Sequence, residues 1–304
     1  MEKLNPKLIV ILGPTATGKT ALSIELAKKY NGEIISADSR QVYKGLDLGT
    51  GKVTKKEMAG IPHHLLDVAD PKKQFSVAQY ITLAEQAIGD ILSRGKLPII
   101  CGGTGLYIDM LINGTVLPEV PPNEKLRSKL AKKSAEQLFE MLKKIDPARA
   151  KTIDQNNPVR LIRAIEIAKA IGKVPTIKNN KPKYDVLKIG LDTDDVNLKS
   201  RISTRLKARI DAGMIHEATS LHTKGLSWKR MEELGLEYRA MARLLTKKIA
   251  REEFEQNLAT DSWQYAKRQR TWFRRDKTIA WLDPTKKSAE KAAFRFTKTF
   301  LTKP

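Results

Sequence analysis

A parallel α/β sheet with helices on both faces, interrupted by a helical insertion and followed by a helical C-terminal part, is the fold this sequence predicts. Three observations carry it. Short continuous apolar runs recur at 8–12 (LIVIL), 33–38 (EIISAD), 97–101 (LPIIC) and 186–191 (VLKIGL), as strands buried on both faces require. Stretches of helical periodicity separate them. From about residue 118 the texture changes to "LPEVPPNEKL", rich in proline and polar groups, and helical patterns follow without a convincing strand. These breaks divide the 304 residues into a core, 1–117 with 186–304, and an insertion, 118–185.

The first run ends in "GPTATGKT", and 21–30 then carries apolar residues at helical spacing, giving strand, loop and helix. The second run ends in Asp38. Between it and the third run, 76–94 begins with Ser76 as an N-cap and places Ala78, Ile81, Ala84, Ile88 and Ile91 on one face. The third run places Cys101 in a buried strand and is followed at once by "GGTGLY". Helical patterns cover 123–145 and 158–171 in the insertion, "KNNKPKYD" (178–185) marks its exit, and long amphipathic stretches fill 194–224, 238–248 and 251–275.

Gly13, Gly18, Lys19 and Thr20 fit G-x-x-x-x-G-K-[ST], the P-loop pattern. Glycines there admit backbone N–H groups to phosphate oxygens, the helix N-terminus adds its positive end, Lys19 reaches the outer phosphate, and the Thr20 hydroxyl can hold Mg²⁺. The motif requires a phosphate ligand without fixing which molecule bears it. A conventional P-loop kinase ends a later strand in Asp to assist the metal; here that strand ends in Gly102, Gly103 and Thr104. The acid instead ends the second run. Asp38 faces the ligand crevice of such a sheet, where it can accept a proton, or else it caps a turn.

Charge narrows the partner. The formal net charge is +22, and residues 1–150 hold 22 basic and 16 acidic side chains against 34 and 18 in 151–304. Concentrating the excess in the second half points to a polyanion bound through its phosphates. "WQYAKRQRTWFRRDK" gathers Lys267, Arg268, Arg270, Arg274, Arg275 and Lys277, interleaved with Trp263, Tyr265, Trp272 and Phe273. Such a mixture suits unpaired RNA bases, and equally an amphipathic helix with its aromatic rings in the core. One cysteine excludes an internal disulfide, no apolar run approaches the roughly 18 to 20 residues of a membrane span, and a cytoplasmic monomer is expected. The adjacent pair His63 and His64 points apart in any extended strand and is not read as a metal site.

With these residues in place, the chain resembles the tRNA dimethylallyltransferases. The resemblance rests on "GPTATGKT" (13–20), "ISADSRQVYKGLDLGTGK" (35–52), "IPHHLLDV" (61–68), "GGTGLY" (102–107), "NPVRLIRAIEI" (157–167) and "YAKRQRTWFRRD" (265–276). It implies transfer of a dimethylallyl group from dimethylallyl diphosphate to N6 of the adenosine just 3′ of a tRNA anticodon. On that likeness, Gly13, Pro14, Thr15, Ala16, Thr17, Gly18, Lys19 and Thr20 cradle the diphosphate with Mg²⁺, Asp38 is the general base, and Thr104 positions the amine. Asp38, Ser39, Arg40 and Gln41 meet the extruded adenosine. Arg127, Val159, Arg160, Leu161, Ile162, Arg163 and the cluster Lys267, Arg268, Arg270, Arg274 and Arg275 are expected at the anticodon stem-loop. Two departures stand out: Leu236 and Glu237 separate Gly235 from Tyr238 where relatives carry Gly-Tyr-[Arg/Lys], and Lys52-Val53 follows "DLGTG" where Ala-Lys-Pro is common. The alternatives are a small-molecule P-loop kinase, an isopentenyltransferase acting on free AMP, and an RNA-binding protein with an inactive nucleotide fold.

Overall fold

A computed structural model describes residues 5–115, 117–175 and 182–303. The chain divides into two compact units, Met1–Gly114 with Lys181–Pro304, and Thr115–Asn180. In the first unit six strands form one sheet: β1 (Lys7–Leu12), β2 (Gly32–Ser36), β3 (His63–His64), β4 (Leu97–Gly102), β5 (Asp185–Leu191) and β6 (Ala280–Leu282). Their order is β3-β2-β4-β1-β5-β6 and every pair is parallel. β1 lies between β4 and β5, so the chain reverses its direction of travel across the sheet beside the glycine loop, where such sheets bind ligands.

The four apolar runs are the four longest strands. β1 is buried from Leu8 to Leu12, as burial on both faces demands: Leu8, Val10 and Leu12 face one apolar cluster, Ile9 and Ile11 the other. The short strands β3 and β6, of two and three residues, show no period long enough to detect. Cys101 is buried in β4. The helix Val77–Ser93 starts at Ser76 with a reciprocal capping box to Gln79. Its buried stripe is Tyr80, Ala84, Ile88 and Ile91, which leaves Ala78 exposed: the stripe is centred one residue off the expected face because the large Tyr80 ring takes the core position.

Longer helical patterns resolve into pairs. Residues 123–145 form Glu124–Leu130 and Ala135–Ile145, parted where Ser134 caps the second helix. Residues 194–224 form Asp195–Asp211 and Met214–Thr223, parted at Gly213, whose φ of 98° ends the first helix. Leu236–Leu245 and the 23-residue Arg251–Phe273 follow. The second unit packs Leu130, Leu138, Leu142, Leu161 and Ile165 into its own core. The expected exit of the insertion at 178–185 lies outside the described residues from 178 to 181, and β5 begins at Asp185. Among the described residues no helix is long and apolar enough to cross a membrane.

Candidate active site

The loops leaving β1, β2 and β4 meet the helices Asp195–Asp211 and Arg251–Phe273 around a cleft of about 770 Å³. Its wall includes Lys19, Thr20, Asp38, Gly103, Arg205 and Gln269. The glycine loop opens at Gly13, where φ is 137° and a Cβ would lie 2.2 Å from the Leu191 carbonyl oxygen, so only glycine lets β1 turn here. Pro14 is the hub: its carbonyl accepts from the Thr17 hydroxyl at 2.9 Å and from Lys19 Nζ at 2.7 Å. The N–H groups of Ala16 to Thr20 have no protein acceptor among the described residues, which leaves a row of donors at a helix N-terminus. Two loop positions serve differently from the rest. Thr17 is fully buried and shapes the loop from inside, and the Thr15 N–H is taken by Gln269 Oε1 at 2.9 Å.

Two cations share the glycine-loop end of the cleft. Burial lowers the Lys19 ammonium to about 8, and the Arg205 charge pushes it the same way. Arg205 is itself held below the usual guanidinium value, first by burial and then by Arg209. Its guanidinium makes only long contacts, 3.4 Å to Thr15 Oγ1 and 3.4 Å to the Gly51 carbonyl, and forms no ion pair among the described residues. A partly buried cation that no carboxylate pairs directly is a site suited to an anion that arrives from outside. The sequence reading did not single out Arg205, although Arg201, Arg205 and Arg209 recur every fourth residue along one face of Asp195–Asp211.

Across the cleft, Asp38 folds into an Asx turn, its Oδ1 accepting from the Arg40 N–H at 2.8 Å and the Gln41 N–H at 3.4 Å. Turn-capping and a place in the cleft are therefore both true of this carboxylate, and Oδ2 remains for other work. Thr104 Oγ1 accepts from the Ser39 N–H at 3.0 Å, while its own N–H donates to the Ala37 carbonyl at 3.1 Å, joining the β2 and β4 loops. Gln41 Nε2 donates to the Gly51 carbonyl at 3.3 Å. Tyr265 reaches the same cleft from the long helix, and burial, then the Asp38 charge, raises its phenol above the ordinary value.

The segment over the cleft at 44–53 is anchored from below. Glu217 accepts from the N–H groups of Asp47, Leu48 and Gly49 at 3.0, 2.7 and 3.0 Å, and from the Tyr238 hydroxyl at 2.6 Å. Tyr238 is thus a buried strut, which accounts for the spacing in "GLEYR": Gly235 caps the helix and Tyr238 points inward from it. Lys52 ties the same segment to Asp47 at 2.7 Å and Asp67 at 2.6 Å. His64 Nε2 lies 2.7 Å from Glu33 Oε2 while His63 Nδ1 lies 2.9 Å from the Ile61 carbonyl, so the two rings part as adjacent strand residues do.

The basic cluster requires correction. Arg270 is 6% exposed and locked to Asp192 at 2.9 Å, to Asp195 and to the Thr193 carbonyl, so it is a structural ion pair with no face for RNA. Phe273 lies in the sheet core. Lys267, Arg268, Arg274 and Arg275 are exposed, the first two on the helix and the last two at and beyond its end, and they meet different partners. Arg268 lies over Tyr265 and Arg275 over Trp272, at 5.8 and 4.1 Å from the ring centroids, whereas Lys267 lies over Trp263 and Arg274 lines a separate hollow with Trp281. In the second unit, Leu161 is fully buried in the core, which removes its side chain from any contact with RNA. Arg127 and Arg163 both bind the buried Glu166, at 2.9 Å for Arg127. Val159 and Arg160 are exposed, and Ile162 is partly buried.

The IPP transferase family model matches residues 41–276. The tRNA dimethylallyltransferase of Anoxybacillus flavithermus is 46% identical over 289 residues, covering 93% of this chain and 92% of that one. The crystal structure of a tRNA isopentenylpyrophosphate transferase from Staphylococcus epidermidis matches with a TM-score of 0.73 and 38% identity, over 98% of this chain and 100% of that one. A eukaryotic dimethylallyltransferase, caught crystallographically acting on tRNA, matches with a TM-score of 0.85 and 30% identity, over 98% and 80%. On motif, fold and relatives together, this chain belongs to the IPP transferase family.

Proposed function

We propose that this chain transfers the dimethylallyl group of dimethylallyl diphosphate to N6 of the adenosine 3′-adjacent to the anticodon in tRNA, releasing diphosphate. The observation that carries the reading is the pairing within one cleft of an anion seat, formed by Lys19, Arg205 and the free loop amides, with the Asp38 carboxylate, next to which Thr104 joins the β2 and β4 loops through the Ser39 N–H. A kinase would need its acid near the metal at the end of β4, where this chain has Gly102.

The chemistry follows from charge. As the N6–C1 bond forms and the C1–O bond to the diphosphate breaks, negative charge grows on the departing oxygen and positive charge on the amine. Lys19, Arg205 and the loop N–H groups meet the first. Asp38 removes the N6 proton, which turns acidic only as the bond forms, so a carboxylate of ordinary basicity suffices. Thr104 Oγ1 accepts from Ser39, and its hydroxyl, in hydrogen-bond reach of the Tyr265 phenol, orients the base. The adenine must leave its stack to enter, which costs a few kcal/mol and less in an anticodon loop than in a duplex. Arg268, exposed on the helix that carries the cleft residues Tyr265 and Gln269, and exposed Arg275 offer phosphate contacts.

Thr20 is exposed at the helix start and offers one hard oxygen, and among the described residues no group of three His, Cys, Asp or Glu is gathered to hold a metal. That donor set fits a Mg²⁺ held by Thr20, water and diphosphate oxygens. The ion would supply further charge against the leaving group. The test is acceptor choice: labelled dimethylallyl diphosphate is offered with an anticodon stem-loop RNA, the same RNA with the target adenosine replaced, and free AMP. Label in the adenosine-bearing RNA alone is expected. Label in AMP alone would overturn the RNA acceptor.

A further inference from the structure

One side chain joins the long helix Arg251–Phe273 to both loops of the site. Gln269 is 6% exposed and uses both ends of its amide: Oε1 accepts from the Thr15 N–H of the glycine loop at 2.9 Å, and Nε2 donates to the Gly103 carbonyl at 2.9 Å, one residue before Thr104. The orientation is dictated by the partners, because the flipped amide would set donor against donor and acceptor against acceptor. Gly103 is a glycine for this reason, since a Cβ there would lie 2.2 Å from Gln269 Nε2. Three residues further along the same helix, the Trp272 ring covers Gly105, where a Cβ would meet it at 2.2 Å, and its Nε1 donates to Asp109 at 2.8 Å. The helix that presents Arg268 to solvent, with Arg275 in the turn just past its end, is therefore fastened to the diphosphate loop and to the Thr104 loop.

Resting on the RNA reading above, we propose that Gln269 is a positioning residue through which RNA held on the C-terminal helix fixes the glycine loop, so that acceptor RNA and allylic diphosphate bind cooperatively. The mechanism needs no large motion. The pair of buried bonds at Gln269 is either made or broken, and when made it withholds the Thr15 N–H from the phosphates and sets the start of the donor row from Ala16 to Thr20. RNA that restrains the helix holds the bonds made, and the diphosphate then binds a loop already ordered. By linkage the diphosphate tightens RNA by the same factor, and couplings of this kind are commonly about 5- to 150-fold.

The experiment measures the Kd of inorganic diphosphate with Mg²⁺, with and without saturating anticodon stem-loop RNA, for the unaltered protein and for Gln269→Met, which keeps the chain length and loses both bonds. RNA is expected to tighten diphosphate at least about fivefold in the unaltered protein, and the ratio to fall to near one in Gln269→Met while each ligand alone still binds. A merely structural glutamine would weaken binding or stability and leave the ratio unchanged; an unchanged ratio overturns the proposal. In the unaltered protein RNA should also slow hydrogen exchange at the Thr15 amide, a readout that needs no variant, and exchange unaffected by bound RNA overturns it equally. An RNA that neither binds nor accepts the prenyl group would instead count against the function.

Discussion

Replacing Arg205 with Met should separate the activity of this site from its stability. Arg205 has no ion-pair partner among the described residues, touches Thr15 and Gly51 only at 3.4 Å, and sits near the Arg209 and Lys19 charges. Its guanidinium does little for the empty fold. Two charge-assisted hydrogen bonds to a diphosphate, each contributing about 1.5–3 kcal/mol, amount to roughly 10²- to 10⁴-fold in kcat/KM for the prenyl donor at about 1.4 kcal/mol per tenfold. Removing a charge that burial and Arg209 disfavour, against weaker attraction from Glu237, Asp38 and Glu57, should leave the Tm nearly unchanged. The Lys19 ammonium, now lowered to about 8 partly by Arg205, should titrate higher. The assay is steady-state prenyl transfer at fixed RNA with varied donor, alongside thermal unfolding. A fall in Tm with kcat/KM within about fivefold of the parent, well short of the loss that two charged hydrogen bonds imply, would make Arg205 a structural prop and refute the anion seat.

Further outcomes follow from the same geometry. With Lys19 at about 8, kcat/KM for the donor should decline about tenfold per pH unit above pH 8, as the free enzyme loses the ammonium charge, and Lys19→Met should be low at every pH without that limb. Asp38→Ala should abolish transfer and leave RNA affinity nearly unchanged, and residual turnover with lost RNA binding would contradict the base assignment. Arg268→Ala with Arg275→Ala should lower the salt slope of RNA binding by about 1.4, two single-strand phosphate contacts, whereas Arg270→Ala should instead destabilise the fold by about 1–3 kcal/mol by removing the buried donor that joins Asp192, Asp195 and the Thr193 carbonyl. Glu33, 1% exposed, is gripped by Arg94, by Lys96 at 2.7 Å and by His64 at 2.7 Å. These bonds, Arg94 foremost, hold its carboxyl well below the ordinary 4.5. Its contribution to stability is therefore complete above about pH 4.5 and disappears as pH falls toward the depressed folded value. Urea unfolding of Glu33→Gln against the parent from pH 7 down to pH 3 should show the difference shrinking.

What could be read from the sequence, and what could not, follows from the range of the interactions concerned. The strand, glycine loop and helix at 8–30 are local, and their residues dictate them. Asp38 and Thr104 stood out because each sits at the end of an apolar run, and a parallel sheet brings such ends together whatever else the chain does. β3 and β6 were invisible because two and three residues carry no period. Arg205 and Gln269 reach the cleft from helices far along the chain, and only packing reveals that they meet Thr15. Arg270 misled for the same reason: its partners Asp192 and Asp195 lie nearly eighty residues away, so a buried ion pair looked like one more member of a basic run. The charge count sensed the polyanion, but a helix distributes neighbouring cations around its axis, and "KRQRTWFRR" therefore divides between the surface and the interior.

The account stands on the claim that the glycine loop holds a leaving diphosphate and not a phosphoryl donor. The most direct test follows both halves of one substrate, dimethylallyl diphosphate labelled in its prenyl carbons and in its terminal phosphate, during incubation with anticodon stem-loop RNA. Prenyl label entering the RNA in step with intact labelled diphosphate entering solution, with ATP neither required nor consumed, is the predicted result. Phosphate label in the acceptor, or turnover of ATP in place of the prenyl donor, would contradict it.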